Sequence, residues 1–340
     1  MTTSMRREIA EIPDAVERML TRSADAIANA ADAFRVADPG YIVTVARGSS
    51  DHAAHFLKIA CEIELGLLGA SVGPSLSSLY NVTPKAANAV SFSISQSGQS
   101  PDIVAMTDAL QRGGATTIAL VNTLPSPLAD AADYVIDLAS GPERSVAATK
   151  SFVCSVVAGL AIVARLSPSP ALGQALDRFP DQLREALLCD WSAMGQVLHE
   201  ARSVFVLGRG PTLAIANEVA LKFKETCGVH AEAYSAAEVM HGPVELVEPA
   251  FPVLAIAARD RAETSIVASA DALAAQGASV FATSALCRNA HSLRVPDGGH
   301  PLLNALLPIA PYYGLIEALS RRLGRNPDRP ERLSKVTETL

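Results

Sequence analysis

Two serine-rich turns and one charged helix face hold most of the chemistry-bearing residues of this 340-residue chain. After the apolar run Ala89–Ser95, and before a helix opening at Pro101, comes Gln-Ser-Gly-Gln-Ser, so Ser95, Gln96, Ser97 and Ser100 crowd one turn. Ser100 falls at an N-cap and Pro101 at the first helical position, where a missing N–H costs nothing. The glycine lets backbone N–H groups face a ligand, the hydroxyls add donors, and the helix N-terminus adds partial positive charge. Gly48-Ser49-Ser50 repeats the arrangement after another strand. Two such turns at the carboxyl ends of neighbouring parallel strands would make one phosphate pocket without any arginine. Capping alone explains either turn taken singly; their pairing in one half of the chain favours the anion site. The glycine spacings of a Walker loop or a dinucleotide fingerprint are absent.

The second constellation is Glu218, Lys222 and Glu225, spaced to share one helix face. By pattern alone a solvated salt-bridge stripe is the commoner meaning of such a triplet. Beyond Gly228 runs a long connection with few helix or strand signals, carrying His230, several carboxylates and then His241 before Gly-Pro. Connections of that kind tend to carry function, although a lone histidine is more often structural.

The elements that must position these residues form a repeat. Val43-Thr-Val-Ala-Arg-Gly48 is matched by Phe205-Val-Leu-Gly-Arg-Gly210, each followed by a helical stretch ending at a second glycine, Gly66 and Gly228. Asp108–Ala115 then matches Asp271–Ala278, but Ser93-Ile-Ser95 is replaced by Ala255-Ile-Ala257, and the serine turn is missing from the second copy. The pattern predicts two α/β units with parallel sheets. Strands are expected at 41–46, 90–95, 116–121 and 134–137, then at 203–207, 252–257, 279–283 and 293–295. Helical periodicity covers 5–36, with Pro13 at a helix start, and the last helix is expected at 304–323. The implied division is a helical segment (1–36), a first α/β domain (37–166), a helical linker (167–200), a second α/β domain (201–324) and a proline-interrupted tail (325–340) holding Lys335.

Composition narrows the class. A net charge of −7 gives no electrostatic reason to expect nucleic acid or an anionic membrane as partner. Five scattered cysteines offer no metal-ligand spacing and read as small buried hydrophobes in a reducing compartment. No apolar run reaches spanning length and the first residues lack a signal-peptide core, so the expectation is a cytoplasmic protein without metal or organic cofactor.

Ser95-Gln-Ser-Gly-Gln-Ser100, Val146-Ala-Ala-Thr-Lys150, Leu221-Lys-Phe-Lys-Glu225, His230-Ala-Glu-Ala-Tyr234, Glu238-Val-Met-His-Gly-Pro243 and Asp328-Arg-Pro-Glu-Arg-Leu-Ser-Lys335 occur together and in order. The combination resembles the isomerase half of glucosamine-6-phosphate synthase, a pair of sugar isomerase (SIS) domains, over nearly the whole chain. The resemblance implies two doubly wound parallel-sheet domains flanked by an N-terminal helix and a C-terminal tail. It implies that Ser50, Ser95, Gln96, Ser97 and Ser100 hold a sugar 6-phosphate, with Gly48 and Val146 near the sugar. Glu225 would move a proton between C1 and C2, and His241 would open the ring from the neighbouring subunit of a homodimer. Lys335 would form a Schiff base with the ketose, assisted by Lys222. A carboxylate suits a 1,2 proton shift, and an amine suits imine chemistry. Gln99 stands where the family usually has glutamate. The synthase's glutaminase domain, with its cysteine after the initiator methionine, has no counterpart here. The expected activity is therefore that of the stand-alone hexosamine-phosphate deaminases: glucosamine 6-phosphate to fructose 6-phosphate and ammonia. Another SIS aminotransferase, isomerase or deglycase, a galactosamine-6-phosphate deaminase, or a non-catalytic sugar-phosphate sensor are the alternatives.

Overall fold

Each of the two parallel sheets is built around a central strand whose residues have no exposed face. The structure, a computed structural model, describes residues 2–335. It falls into two units: residues 14–143, 150–176 and 334–335 make the first, and residues 2–13, 144–149 and 177–333 the second. In the first unit β1 (Tyr41–Val45), β2 (Gly69–Ser71), β3 (Ala89–Ser95), β4 (Thr116–Val121) and β5 (Tyr134–Asp137) form one sheet in the order β2-β1-β3-β4-β5. All its pairs are parallel. Every residue of β3 is buried, as expected of a strand covered by helices on both sides. One cover is the helix Lys150–Leu166, which is apolar around nearly its whole circumference and buried from Lys150 to Val163.

In the second unit β6 (Ser203–Gly208), β7 (His230–Ser235), β8 (Pro252–Ala255), β9 (Ser279–Ala282) and β10 (His291–Ser292) form the order β10-β9-β8-β6-β7. Read from its other edge, that order is the order of the first sheet. The register agrees as well: Val43 pairs with Ser91 as Phe205 pairs with Val253, and Ile42 with Gly69 as Val204 with Ala231. The repeated glycines share their backbone angles. Gly48 and Gly210 have φ/ψ of 56/−133 and 58/−131, and Gly66 and Gly228 are left-handed helix ends at φ 69 and 61. Gly114 and Gly277 lie at φ 96 and 98. The internal repeat in the sequence is thus a repeat of structure, and the fold is the expected pair of α/β domains.

Several local expectations need correction. The segment 5–36 is three helices, Ser4–Ala10, Ile12–Arg22 and Ala24–Ala37, with Pro13 in the first turn of the second. The stretch after Gly228, with its few helix or strand signals, contains β7. Its polar His230, Glu232 and Tyr234 belong to an edge strand that is only partly covered. The last strand lies at 291–292 rather than 293–295. The final helix is divided into Pro301–Leu306 and Ile309–Arg322, because Pro308 begins the second segment. By length and composition the stretch Pro301–Arg322 could cross a membrane, contrary to the expectation that no apolar run is long enough, but 89% of its apolar window is buried in the protein. It is a core element.

Gly66 and Gly98 separate two costs of adding a methyl group. Both have left-handed backbone (φ 69 and 65), but a Cβ at Gly66 meets nothing, whereas at Gly98 it would overlap the Ser126 hydroxyl. Gly66→Ala should cost about 1–2 kcal/mol and Gly98→Ala about 2–4 kcal/mol in urea denaturation. Equal losses would show that the serine turn yields to the added methyl.

Candidate active site

The serine turn of the first unit closes β3 onto the helix Pro101–Arg112. Ser95 Oγ accepts from the Gly98 N–H at 3.0 Å and Ser97 Oγ from the Gln99 N–H at 3.2 Å. Both bonds use oxygen lone pairs and leave each hydroxyl proton able to donate. Ser100 is the N-cap residue, yet its side chain makes no capping bond, so the hydroxyl is not consumed by the helix that the capping explanation assigns it to. Gln96 is half-buried, its carbonyl accepting from Thr123 Oγ1. Gly48 opens the helix Ser49–Leu65 with Ser50 in its first turn.

An arginine also stands at these turns, paired with a carboxylate. The Arg47 guanidinium reaches Asp102, in the first turn after the serine loop, with Nε–Oδ2 2.8 Å and a second contact of 2.6 Å. Asp102 is buried while Arg47 is half-exposed. The ion pair ties the Gly48 turn to the serine turn and cancels a carboxylate that would repel a bound phosphate. The sequence does not single Arg47 out, because Arg209 occupies the matching place in the second copy and makes both residues look like part of the repeat.

The second unit holds the charged cluster, which is not the solvated stripe that its spacing most often means. Glu218 and Lys222 are fully buried side chains, and Glu225 is 21% exposed. Lys222 Nζ lies 2.5 Å from Glu225 Oε2 and 3.3 Å from Glu218 Oε1. Tyr313 donates its hydroxyl to Glu218 Oε1 at 3.1 Å. Burial by itself lowers the Lys222 pKa, but the two carboxylates outweigh it and hold the ammonium above its ordinary range. Lys222 is therefore a permanent cation. It can orient Glu225 and stabilise negative charge there.

The helix changes character at this point. It is α-helical over Pro211–Lys222 and a single π turn over Phe223–Cys227, whereas the matching helix of the first copy, Ser49–Leu65, is α throughout. Counted from the turn glycine, the residues matching Glu218, Lys222 and Glu225 are Phe56, Ala60 and Ile63. The first two are buried apolar side chains. The second copy thus buries charge where its sister buries hydrocarbon, and π turns recur where a helix is shaped for function. Glu225 borders a cavity of about 570 Å³ within the second unit, lined also by Leu221, Lys224, Gly228, Arg325 and Leu333.

The remaining expected residues are placed separately. Val146, half-buried, donates its N–H to the Asp328 carbonyl at 3.1 Å. His241 ends a short 3₁₀ turn, Val239–His241, with an exposed side chain. Lys335, in the first unit, extends its Nζ to Glu143 Oε2 at 3.2 Å. Glu143 is buried and also accepts from the N–H and hydroxyl of Ser151, at 3.1 and 2.6 Å. No local motif announces Glu143, since its contact joins residues 192 positions apart. Among the described residues no group of three His, Cys, Asp or Glu side chains is placed to hold a metal ion. Three cysteines are buried as expected, but Cys189 and Cys287 are partly exposed. Burial pushes the Cys61 thiol up to about 12 and Cys227 to about 11, so neither is a ready nucleophile.

The family model for the SIS domain matches residues 36–165 and 197–308. The glutamine–fructose-6-phosphate aminotransferase (isomerizing) of Sulfurisphaera tokodaii is 32% identical over 345 aligned positions, covering 98% of this chain and 56% of that protein. The chain thus spans about half the length of the curated relatives it matches. A candidate phosphosugar isomerase from Silicibacter pomeroyi DSS-3 superposes with a TM-score of 0.93 at 48% identity, covering 96% of this chain and all of the other. The C-terminal domain of the Francisella tularensis glucosamine-fructose-6-phosphate aminotransferase (TM-score 0.86, 24% identity) covers 97% of this chain and 99% of its own length. Glucosamine-6-phosphate deaminase of Thermotoga maritima (0.78, 18%) covers 99% of this chain and all of its own. These last two share the fold. With both α/β units matched and the repeat preserved in backbone detail, the chain belongs to the SIS domain family.

Proposed function

We propose that the protein is a phosphosugar isomerase whose reaction is the isomerising deamination of glucosamine 6-phosphate to fructose 6-phosphate and ammonia. The observation that carries the reading is Glu225: a carboxylate at a cavity edge, held by a permanently charged lysine, on a π turn the sister copy lacks. A 1,2 proton shift needs one carboxylate that takes a proton from C2 and delivers it to C1. The matched relatives are named as isomerizing aminotransferases of fructose 6-phosphate, and the fold is shared with a protein named for the deamination itself.

In this reading Ser50, Ser95, Gln96, Ser97 and Ser100 hold the phosphate, with Gly48 supplying the close backbone approach and Val146 facing the sugar. His241 opens the ring, and its exposure on its own unit supports a role completed in a homodimer. Glu225 removes the C2 proton from the open-chain 2-amino aldehyde and returns a proton to C1. That converts the aldehyde to an alcohol and the amine to a C2 ketimine. Lys335 adds to C2 and displaces ammonia, forming its own ketimine, and water then releases fructose 6-phosphate and the free lysine. Lys222 stabilises the charge on Glu225 throughout; its permanent protonation leaves the nucleophilic role to Lys335.

Purified protein given glucosamine 6-phosphate should release ammonia and fructose 6-phosphate in equal amounts, and Glu225→Gln should lower kcat by about 10³-fold. Ketose formed from an aldose phosphate without ammonia would replace the deaminase by a simple isomerase, and no turnover of any hexosamine phosphate would sink the reading. Borohydride added during turnover should attach the sugar phosphate to Lys335, and Lys335→Arg should abolish the adduct. A peptide mass placing it on Lys222 would reverse the two roles.

Lys222→Met leaves two buried carboxylates without their cation, a change that costs about 3–5 kcal/mol and should lower kcat at least tenfold in protein that remains folded. Because the folded-state pKa of Lys222 is raised, its stabilisation is fully present below the ordinary lysine value of 10.5 and is lost only as pH climbs beyond the raised value. Wild-type and Lys222→Met stabilities compared from about pH 6 to 9 should therefore show no convergence attributable to this amine. A gap that closes toward the upper end of that range would contradict a permanently charged Lys222.

A further inference from the structure

The helix Ser4–Ala10 belongs to the second unit and has no part in the proposed chemistry. Its contacts nevertheless run to the two segments that flank that chemistry. Glu8, 4% exposed, accepts from the backbone N–H groups of Arg144 and Ser145 and from the Ser145 hydroxyl. One turn earlier, the N–H groups of Ser4 and Met5 each donate to the Asp328 carboxylate at 2.8 Å. Asp328 closes the circuit by accepting the Val146 N–H on its own carbonyl at 3.1 Å. The helix itself is fixed by Arg6 and Thr3, which both bind the buried carboxylate of Glu317.

A buried carboxylate is a poor way to gain stability, because an apolar side chain of similar volume usually does as well or better. What it gives here is position. Three charge-assisted donors hold residues 144 and 145 against Glu8. Asp328 ties the chain beyond the last helix, which ends at Arg322, to the same amino-terminal helix.

We infer that Glu8 is a positioning residue. Together with Asp328 it sets where the Val146 backbone and the tail leading to Lys335 lie, so the first helix is a working part of the site. The roles of Val146 and Lys335 rest on the function proposed above, whereas the clamp itself does not.

The test compares Glu8→Ala, Glu8→Gln and Asp328→Asn with wild type in the full chain. Glucosamine 6-phosphate kinetics, thermal melting and tryptic cleavage after Arg325 and Arg332 are measured for each. Glu8→Ala should lower kcat at least tenfold with KM within about threefold, because the phosphate turns are untouched. Glu8→Gln keeps an acceptor oxygen and should recover most of kcat. Glu8→Ala and Asp328→Asn should both be cut at least fivefold faster than wild type at temperatures well below melting. Variants that melt early but keep wild-type kcat per folded molecule and wild-type cleavage rates would reduce Glu8 to a structural residue and overturn the inference. If no hexosamine phosphate is turned over by any form, the cleavage rates alone decide the clamp, and only the proposed reaction has failed.

Discussion

The Lys222 ammonium is wholly enclosed by protein, and the carboxylates of Glu218 and Glu225 are arranged around that charge. A buried ammonium is tolerated only where carboxylates and further hydrogen bonds replace its hydration. Glu218 supplies one carboxylate from the preceding turn and is itself held by Tyr313. Glu225 supplies the other, and the π turn over Phe223–Cys227 is the local backbone in which it does so. Fixing the cation therefore fixes the carboxylate, which faces a cavity with only part of its surface covered.

The internal repeat provides a control within one molecule. The two copies share strand order, pairing register and the angles of three glycine pairs. Against that background their differences are specific. The first copy packs Phe56 and Ala60 where the second buries Glu218 and Lys222, so the fold does not require charge at those positions. The first copy in turn keeps the serine turn, with a Ser100 hydroxyl that its helix does not use, beside a Gly48 turn braced by Arg47 and Asp102. One unit departs from the shared plan in its serine turn and the other in its buried charge cluster, the two features on which the proposed phosphate binding and proton transfer rest.

Much of this is legible in the sequence because backbone constraints are local. Gly48, Gly66, Gly114 and their partners occupy angles that side chains disfavour, so the repeat shows through glycine spacing even where side chains have diverged. Burial is not legible for Glu218 and Lys222, since an i, i+4 pair reads the same on a solvated face and in a core. Strand β7 is hidden for a related reason: it lies at the sheet edge, only Ala231 is buried, and its polar residues alternate with small alanines rather than with the large apolar side chains that mark a strand. Glu143 and Glu8 carry no signal in the sequence because their partners lie far along the chain and no short motif links them. Residues 336–340 of the expected tail lie outside the described residues.

The most direct measurement tracks the hydrogen at C2. Glucosamine 6-phosphate deuterated at C2 is incubated with wild type and with Glu225→Gln, and the label is monitored by NMR. Wild type should move the label from C2 to C1 or to water as substrate is consumed, while Glu225→Gln binds the sugar and leaves it labelled. Loss of label from C2 at an undiminished rate in Glu225→Gln would contradict the claim that this buried ion cluster exists to place a proton-transferring carboxylate.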